Sequence, residues 1–337
     1  MVGMKSYYAI LSGEHEGLAL EELKAILDVE SRSYRVTSVL EGLALFEADI
    51  EDPRVIVSRA AYVKEVGLLI TVGSQSIEDE WFRELAYSLK GYVVRVEATR
   101  YKGYGLIPEN ELVKKLVEHG VKCSLKGELT LRLFSTEGVL VAGIKIYSRE
   151  PGSFDDRTPS KRPAFKPGTL TPQISRLLVN LSRLRRGGVF LDPFCGVGGI
   201  AIEACLLGAS TVICGDLDWS ASTGALRNLE FYGCTSSLVT RANAKNLPLV
   251  DGFVDAIATD PPYGRLSSIK GFNYEELIQG FLEEARRVLR KGGYVVYAGP
   301  YERRPWILAL NTGLEVIARY HMFVHGSLVR EVVIARA

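Results

Sequence analysis

The 337-residue sequence has no run approaching the roughly 18 uninterrupted apolar residues of a membrane helix, and its start, MVGMKSYYAILSGEH, lacks the layout of a signal peptide. A membrane role is excluded on this reading, and a cytoplasmic location is the expectation. Cysteines are few: Cys123, Cys195, Cys205, Cys214 and Cys234 show no C-x-x-C spacing, and the odd count argues against a disulfide framework. The four histidines, His15, His119, His321 and His325, are scattered, so neither a tetrahedral zinc site nor any other metal is expected. Glutamine occurs only at Gln75, Gln173 and Gln279, which is compatible with a thermophilic source. Excess charge is also missing. A net +1 excludes a polycation that coats nucleic acid indiscriminately.

What is present is a 47% hydrophobic chain long enough for two or three cored domains. Charge is divided unevenly: residues 1–149 carry 19 Lys+Arg and 22 Asp+Glu, and the remainder carries 22 and 18. Any anionic partner must therefore be met by local patches. The acid-free stretch containing Arg157, Lys161, Arg162 and Lys166 is one of them.

The N-terminal half alternates strand and helix patterns. KSYYAILS at 5–12 reads as a strand and 16–27 as an amphipathic helix. Strands follow at 33–39, 43–47 and 66–72, with a helix at 53–61. The next order is a helix near 78–89, the strand GYVVRVEATR at 91–100, a helix at 109–119 and the strands GELTLRLFS and GVLVAGIKI. That order, and VRVEATR in particular, resembles THUMP domains, a small RNA-binding module. The expected divisions are a ferredoxin-like α+β unit at 1–51, or to 72 on a longer boundary, and a THUMP domain at 52–147. Eight Lys+Arg against four Glu between Lys90 and Lys126 make a local cationic face there, and Arg95, Arg100 and Lys102 are the candidate RNA contacts. Individually they are as readily ordinary solvated charges.

Residues 148–170 are rich in Pro, Gly, Ser and charge and read as a linker. After them Thr171 caps a helix that has proline at its first position. Apolar strands then alternate with ten-to-fifteen-residue helices to the C-terminus, which implies a parallel sheet in a Rossmann-fold domain at 171–337. A short turn at Gly326 makes one of the last two strands antiparallel, as in the sheet of class I methyltransferases.

Two stretches carry the chemistry. In LDPFCGVGG the residues Asp192, Pro193, Phe194, Cys195, Gly196 and Gly198 form a strand end and glycine turn that brings backbone close to a ligand. The next strand ends in Gly215-Asp216-Leu217-Asp218, where a carboxylate can bond ribose hydroxyls. On these residues alone NAD and S-adenosylmethionine both remain. Asn243, followed by Ala244, stands where an amide oxygen could accept from an adenine amine, or is an ordinary loop asparagine. Trp219 borders the adenine or packs the helix start. The second stretch is Asp260-Pro261-Pro262-Tyr263, similar to the motif of methyltransferases that modify exocyclic amines on nucleic-acid bases. A carboxylate and a proline-stiffened carbonyl can grip the amine hydrogens and direct its lone pair, and the aromatic ring can stack on a flipped base. Arg265 is a candidate phosphate contact. His321 and His325 complete no catalytic set and read as structural.

The whole resembles the archaeal THUMP-containing tRNA guanine-N2-methyltransferases acting on guanosine-10. The resemblance implies S-adenosyl-L-methionine as cofactor, tRNA as partner, one or two methyls on N2, and a loop of Phe165, Pro167, Gly168, Thr169 and Leu170 closing the cofactor pocket. Phe194 departs from the generic glycine at its position, as in the amine-modifying families, and Asp260 rather than Asn favours guanine by resemblance. The alternatives are N2 methylation at another tRNA position, adenine-N6 methylation of rRNA or DNA, an RNA-binding module without turnover, and a nicotinamide oxidoreductase. A monomer is the default expectation.

Overall fold

The structure is a computed structural model that describes residues 3–74, 79–101, 108–263, 273–325 and 328–337. The candidate residues Lys102 and Arg265 lie outside the described residues, as does the side chain of His325. The chain divides into two compact units, one of Met1–Ser58 and Tyr62–Glu150 and one of Arg59–Ala61 and Pro151–Ala337.

The first unit is built on strands β1 (Lys5–Leu11), β2 (Ser31–Leu40), β3 (Leu43–Ile50), β4 (Val63–Ser74), β5 (Val93–Arg100), β6 (Lys122–Cys123), β7 (Leu129–Thr136) and β8 (Val139–Ser148). They form one sheet in the order β2-β3-β1-β4-β8-β7-β5-β6. The blocks expected at 1–51 and 52–147 thus share a continuous ladder, because β1 pairs antiparallel with both β3 and β4. Helix α1 (Glu16–Glu30) buries Leu18, Leu23, Ile26 and Leu27, the apolar stripe its spacing dictates. Helix α2 (Arg54–Arg59) follows β3, while α3 (Asp79–Ser88) and α4 (Glu109–Glu118) set Phe82, Leu85, Leu112 and Leu116 against Val94, Leu131 and Leu133. The β2–β3 turn needs Gly42: its φ is +72°, and a Cβ there would collide with the Tyr101 ring.

The second unit contains α5 (Pro172–Leu181), β9 (Val189–Asp192), α6 (Gly199–Leu206), β10 (Thr211–Asp216), α7 (Trp219–Phe231), β11 (Ser237–Arg241), β12 (Val254–Thr259), α8 (Tyr274–Val288), β13 (Leu289–Pro300), α9 (Pro305–Asn311), β14 (Glu315–His325) and β15 (Leu328–Arg336). The sheet order is β11-β10-β9-β12-β13-β15-β14, parallel throughout except that β15 runs antiparallel to both its neighbours. The strand order reverses between β9 and β12, and in such sheets the crevice beyond the carboxyl ends at this point is where ligands bind. On one face α8 and α9 cover Leu191, Ile257, Val295, Tyr297 and Val333 with Phe281, Leu282 and Leu308. Caps fix the helix starts: the Thr171 hydroxyl accepts from the Ile174 N–H, and the Asp218 carboxylate from those of Ser220 and Ala221.

Two features differ from the composition-based reading. Residues 151–170 do not run as a free tether. Phe154 and Arg162 are buried, Arg157 bonds the Glu203 carboxylate at 2.8 Å, and Asn228 holds Ala164 through both its N–H and its carbonyl. The polarity that suggested a linker is consumed by side-chain partners on α6 and α7. The second is a correction: Cys205 and Cys234 form a disulfide, with Cα atoms 5.9 Å apart. An odd cysteine count forbids complete pairing but not a single bridge, and here the end of α6 meets the turn after α7. The bridge closes a 29-residue separation, which chain-entropy arguments value at about 3–4 kcal/mol. Reduction, or Cys205→Ala, is expected to lower the stability of the second unit by that order. Equilibrium denaturant unfolding with and without reductant measures it, and coincident midpoints would contradict it.

Candidate active site

At the carboxyl edge of the second sheet, β9 delivers Asp192 and β12 delivers Thr259 and then Asp260. The Thr259 hydroxyl donates to Asp192 Oδ1 at 2.6 Å, and the Phe194 N–H donates to the same oxygen at 3.3 Å. This bond ties the start of the glycine turn to the start of the Asp-Pro-Pro-Tyr loop. Asp192 is 1% exposed, and burial, with the charges of Asp216 and Asp260 added, pushes its carboxyl up to about 7.

The turn itself is shaped by positive φ at Gly196 (+51°) and Gly198 (+84°). No atom lies within 4 Å of where a Cβ on Gly196 would stand, so the turn borders open space. From β10, Asp216 accepts the Gly196 N–H at 2.9 Å on one oxygen and the Asp218 N–H at 2.9 Å on the other, leaving each oxygen capacity for a further bond. Pro193 lies 3.6 Å from the Cβ position of Gly215, and the Cys195 N–H bonds the Gly215 carbonyl at 3.0 Å. Phe194 packs edge-on against Phe281 at 5.3 Å, so its bulk is absorbed by the core. Leu217 is exposed. Beyond β11, Asn243 turns its side-chain oxygen to the Lys245 N–H at 3.0 Å and Ala244 is buried.

Several flanking residues belong to the same end of the sheet. Lys166 pairs with Asp218, the Thr169 hydroxyl bonds the Lys166 carbonyl at 2.6 Å, and Leu170 is buried. Beside Gly199, Nη1 and Nη2 of the buried Arg162 guanidinium have no hydrogen-bond partner among the described residues, nor does the Ser175 hydroxyl. Arg157 and Arg176 already share the single carboxylate of Glu203, so three cations surround one acid.

Asp260 is not free. The Tyr263 hydroxyl donates to its Oδ1, and Arg330 Nη2 stands 3.4 Å from Oδ2, while Arg330 Nε donates to the Tyr263 hydroxyl at 3.0 Å. Burial raises the carboxyl of Asp260, and the Arg330 charge and the Tyr263 hydrogen bond pull against it. Pro261 is buried, and Pro262 is half-buried beside it. Sequence reasoning missed Arg330, although a signal existed: Arg330-Glu331 is a charged pair inside the apolar strand LVREVVIAR, and charges at strand-core positions are rarely idle. It also missed Tyr274, whose buried hydroxyl has no hydrogen-bond partner among the described residues and faces Gly299, where a Cβ would collide with it.

In the first unit the candidate RNA contacts are less free than their charges suggest. Arg95 is exposed but pairs with Glu97 at 3.1 Å, and Glu97 also bonds Arg132 and Lys145 at 3.0 and 3.1 Å. Arg100 is exposed at the end of β5. Among the described residues no group of three or more His, Cys, Asp or Glu could hold a metal ion, and no helix is long and apolar enough to cross a membrane.

A sheet of this order, with a glycine turn after its first strand and Asp-Pro-Pro-Tyr after its fourth, defines an enzyme of the class I methyltransferase type. The chain belongs to the RMKL-like methyltransferase family (UPF0020), whose domain model matches residues 159–331, and to that of the archaeal tRNA (guanine(10)-N2)-dimethyltransferases. It is 33% identical over 330 residues to the enzyme of that name from Methanothermobacter thermautotrophicus, covering 95% of this chain and 96% of the relative. It is 30% identical over 305 residues to the tRNA (guanine(6)-N2)-methyltransferase of Thermus thermophilus, covering 83% and 84%. The crystal structure of TrmN from Thermus thermophilus shares the fold, with TM-score 0.52 at 23% identity over 98% of this chain and 99% of that one.

The raised carboxyl of Asp192 has a stability consequence. A group whose folded pKa lies above its unfolded value of about 4 holds its proton more tightly when folded, so stability falls as pH rises from about 4 to about 7 and is level above. Asp192→Asn, whose amide oxygen can still accept from Thr259 and Phe194, is expected to remove this part of the slope. Urea unfolding of the ligand-free protein at pH 5 and pH 8 checks it; equal slopes for the two proteins would contradict it.

Proposed function

We propose that the protein transfers a methyl group from S-adenosylmethionine to the exocyclic N2 of a guanosine in tRNA, guanosine-10 by its similarity to the archaeal enzymes, with one or two methyls added. The observation that carries this reading is the Thr259–Asp192 bond, which sets the glycine turn and Asp260 side by side at one sheet edge. The residues fit the cofactor. Open space borders Gly196, the Asp216 oxygens keep lone pairs for ribose hydroxyls, Asn243 and Ala244 after β11 are the residues that would meet an adenine, and the surplus positive charge of Arg162 suits a carboxylate. When bound, S-adenosylmethionine supplies a methyl already activated by its sulfonium.

The protein's own contribution is position and electrostatics. An aromatic amine delocalises its lone pair into the ring and is a weak nucleophile. With the Asp260 carboxylate and the Pro261 carbonyl accepting its two hydrogens, the lone pair is directed at the methyl carbon. A bound S-adenosylmethionine would supply the methyl, its S–C bond breaking as the N–C bond forms, and Asp260, the adjacent base, would take the surplus proton from N2. The guanine must leave the stack to reach this site, and the Tyr263 ring, once its hydroxyl releases Asp260, is the surface it stacks on. Within the first unit, residues 52–147 form the proposed THUMP module, with Arg95 and Arg100 among its phosphate contacts and 1–51 as its N-terminal extension.

Incubation of labelled cofactor with unmodified tRNA, followed by digestion to nucleosides, tests the reading: N2-methylguanosine is expected, and no product, or methyl on adenosine, would overturn it. Asp260→Ala is expected to slow transfer by about 100–1,000-fold, the loss typical of one electrostatic contact to a reacting group, while cofactor binding survives. A cofactor at 100 times its dissociation constant should stabilise the folded state by about 2.7 kcal/mol. A melting-temperature rise with NAD but not with S-adenosylhomocysteine would point instead to an oxidoreductase.

A further inference from the structure

The Tyr263 hydroxyl occupies a place with defined polarity. It gives a hydrogen to Asp260 Oδ1 and takes one from Arg330 Nε at 3.0 Å. Asp260 and Arg330 therefore present an acceptor and a donor side by side, Oδ2 and Nη2 lying 3.4 Å apart. That separation exceeds the roughly 2.7–2.9 Å of a tight charge-assisted bond, so neither group is saturated by the other. Arg330 Nη1 has no hydrogen-bond partner among the described residues. The guanidinium is also well anchored. Its Cα sits in β15 between Pro300 of β13 and Met322 of β14, and its side chain is 9% exposed, over the Tyr263 ring at 5.8 Å.

We propose that Arg330 is a specificity-determining residue that reads O6 of the guanine whose N2 is held by Asp260. This inference rests on the guanine-N2 reading above and deepens it. The Watson–Crick edge of guanine carries an amine donor at N2 and a carbonyl acceptor at O6, the same polarity that the Tyr263 hydroxyl satisfies in the free protein. When Tyr263 turns to stack on the base, its hydroxyl leaves, Asp260 receives N2–H, and the Arg330 fork, freed at Nε and open at Nη1, donates to O6. An adenine gripped by its N6 has no carbonyl on that edge and leaves the buried guanidinium without this acceptor, which is the situation that rejects a substrate most strongly. The same cation also opposes the burial that raises the Asp260 carboxyl, so the two roles must be separated by the substrate.

The test compares tRNA transcripts carrying guanine or 2-aminopurine at the methylated position. 2-Aminopurine keeps the exocyclic amine, lacks O6 and carries no hydrogen on N1, so the contribution of Arg330 is read from the change of the ratio in its variants. For the wild-type enzyme kcat/KM is expected to fall about 10–100-fold from guanine to 2-aminopurine, the discrimination of a good arginine–guanine contact. In Arg330→Gln the guanine rate should drop to near the 2-aminopurine rate, so that the ratio collapses toward one. Arg330→Lys, which keeps the charge but not the fork, should give an intermediate ratio and serves if Arg330→Gln folds poorly. If Arg330→Gln or Arg330→Lys slows both substrates by one factor and leaves the ratio intact, Arg330 acts only through Asp260 and the inference is overturned. Absence of N2-methylguanosine with the wild-type enzyme would instead strike the guanine-N2 reading itself.

Discussion

One buried hydrogen bond, from the hydroxyl of Thr259 to the carboxylate of Asp192, sets the geometry of everything at the sheet edge. It joins the ends of β9 and β12, the two strands between which the chain reverses its order. A hydrogen bond of this kind contributes roughly 0.5–1.5 kcal/mol net, which is modest beside the core but large for a local constraint. Its effect is to hold two short loops in register: the glycine turn, which borders open space at Gly196, and the proline-stiffened loop that carries Asp260.

The edge is also a concentrated acid site. The charges of Asp216 and Asp260 add to the burial that raises the carboxyl of Asp192. Each is managed differently. Asp192 is buried with two donors, Asp216 is divided between two backbone N–H groups, and Asp260 is balanced by Arg330 from the antiparallel strand. The position of β15, inserted between β13 and β14, is what brings that arginine within reach. The antiparallel strand thus contributes to the site as well as closing the sheet. In the first unit an analogous network joins Glu65, Glu97, Arg132 and Lys145 across four strands. There it reduces the free positive charge that a count of basic residues implies.

Much of this was legible in the sequence because the signals were local. The strand–turn–helix at 189–206, the capped start at Thr171 and the Asp-Pro-Pro-Tyr loop each depend on neighbouring residues whose backbone preferences agree. What was not legible depended on distant partners. The stretch 151–170 has linker composition, yet Arg157 and the backbone of Ala164 find partners on α6 and α7. The Cys205–Cys234 bridge requires knowing that one helix end meets another turn. Arg330 lies 70 residues from Asp260 and enters the site only through the sheet order. Arg95 reads as a free cation until Glu97 is seen beside it.

The central claim is that the amine of a flipped guanine is held by Asp260 and the Pro261 carbonyl at the edge where the cofactor binds. A structure of the protein with S-adenosylhomocysteine and its tRNA measures this most directly. The account predicts N2 within hydrogen-bonding distance of both acceptors, with the cofactor ribose on Asp216. A guanine held elsewhere, or a cofactor away from the Gly196 turn, would contradict it.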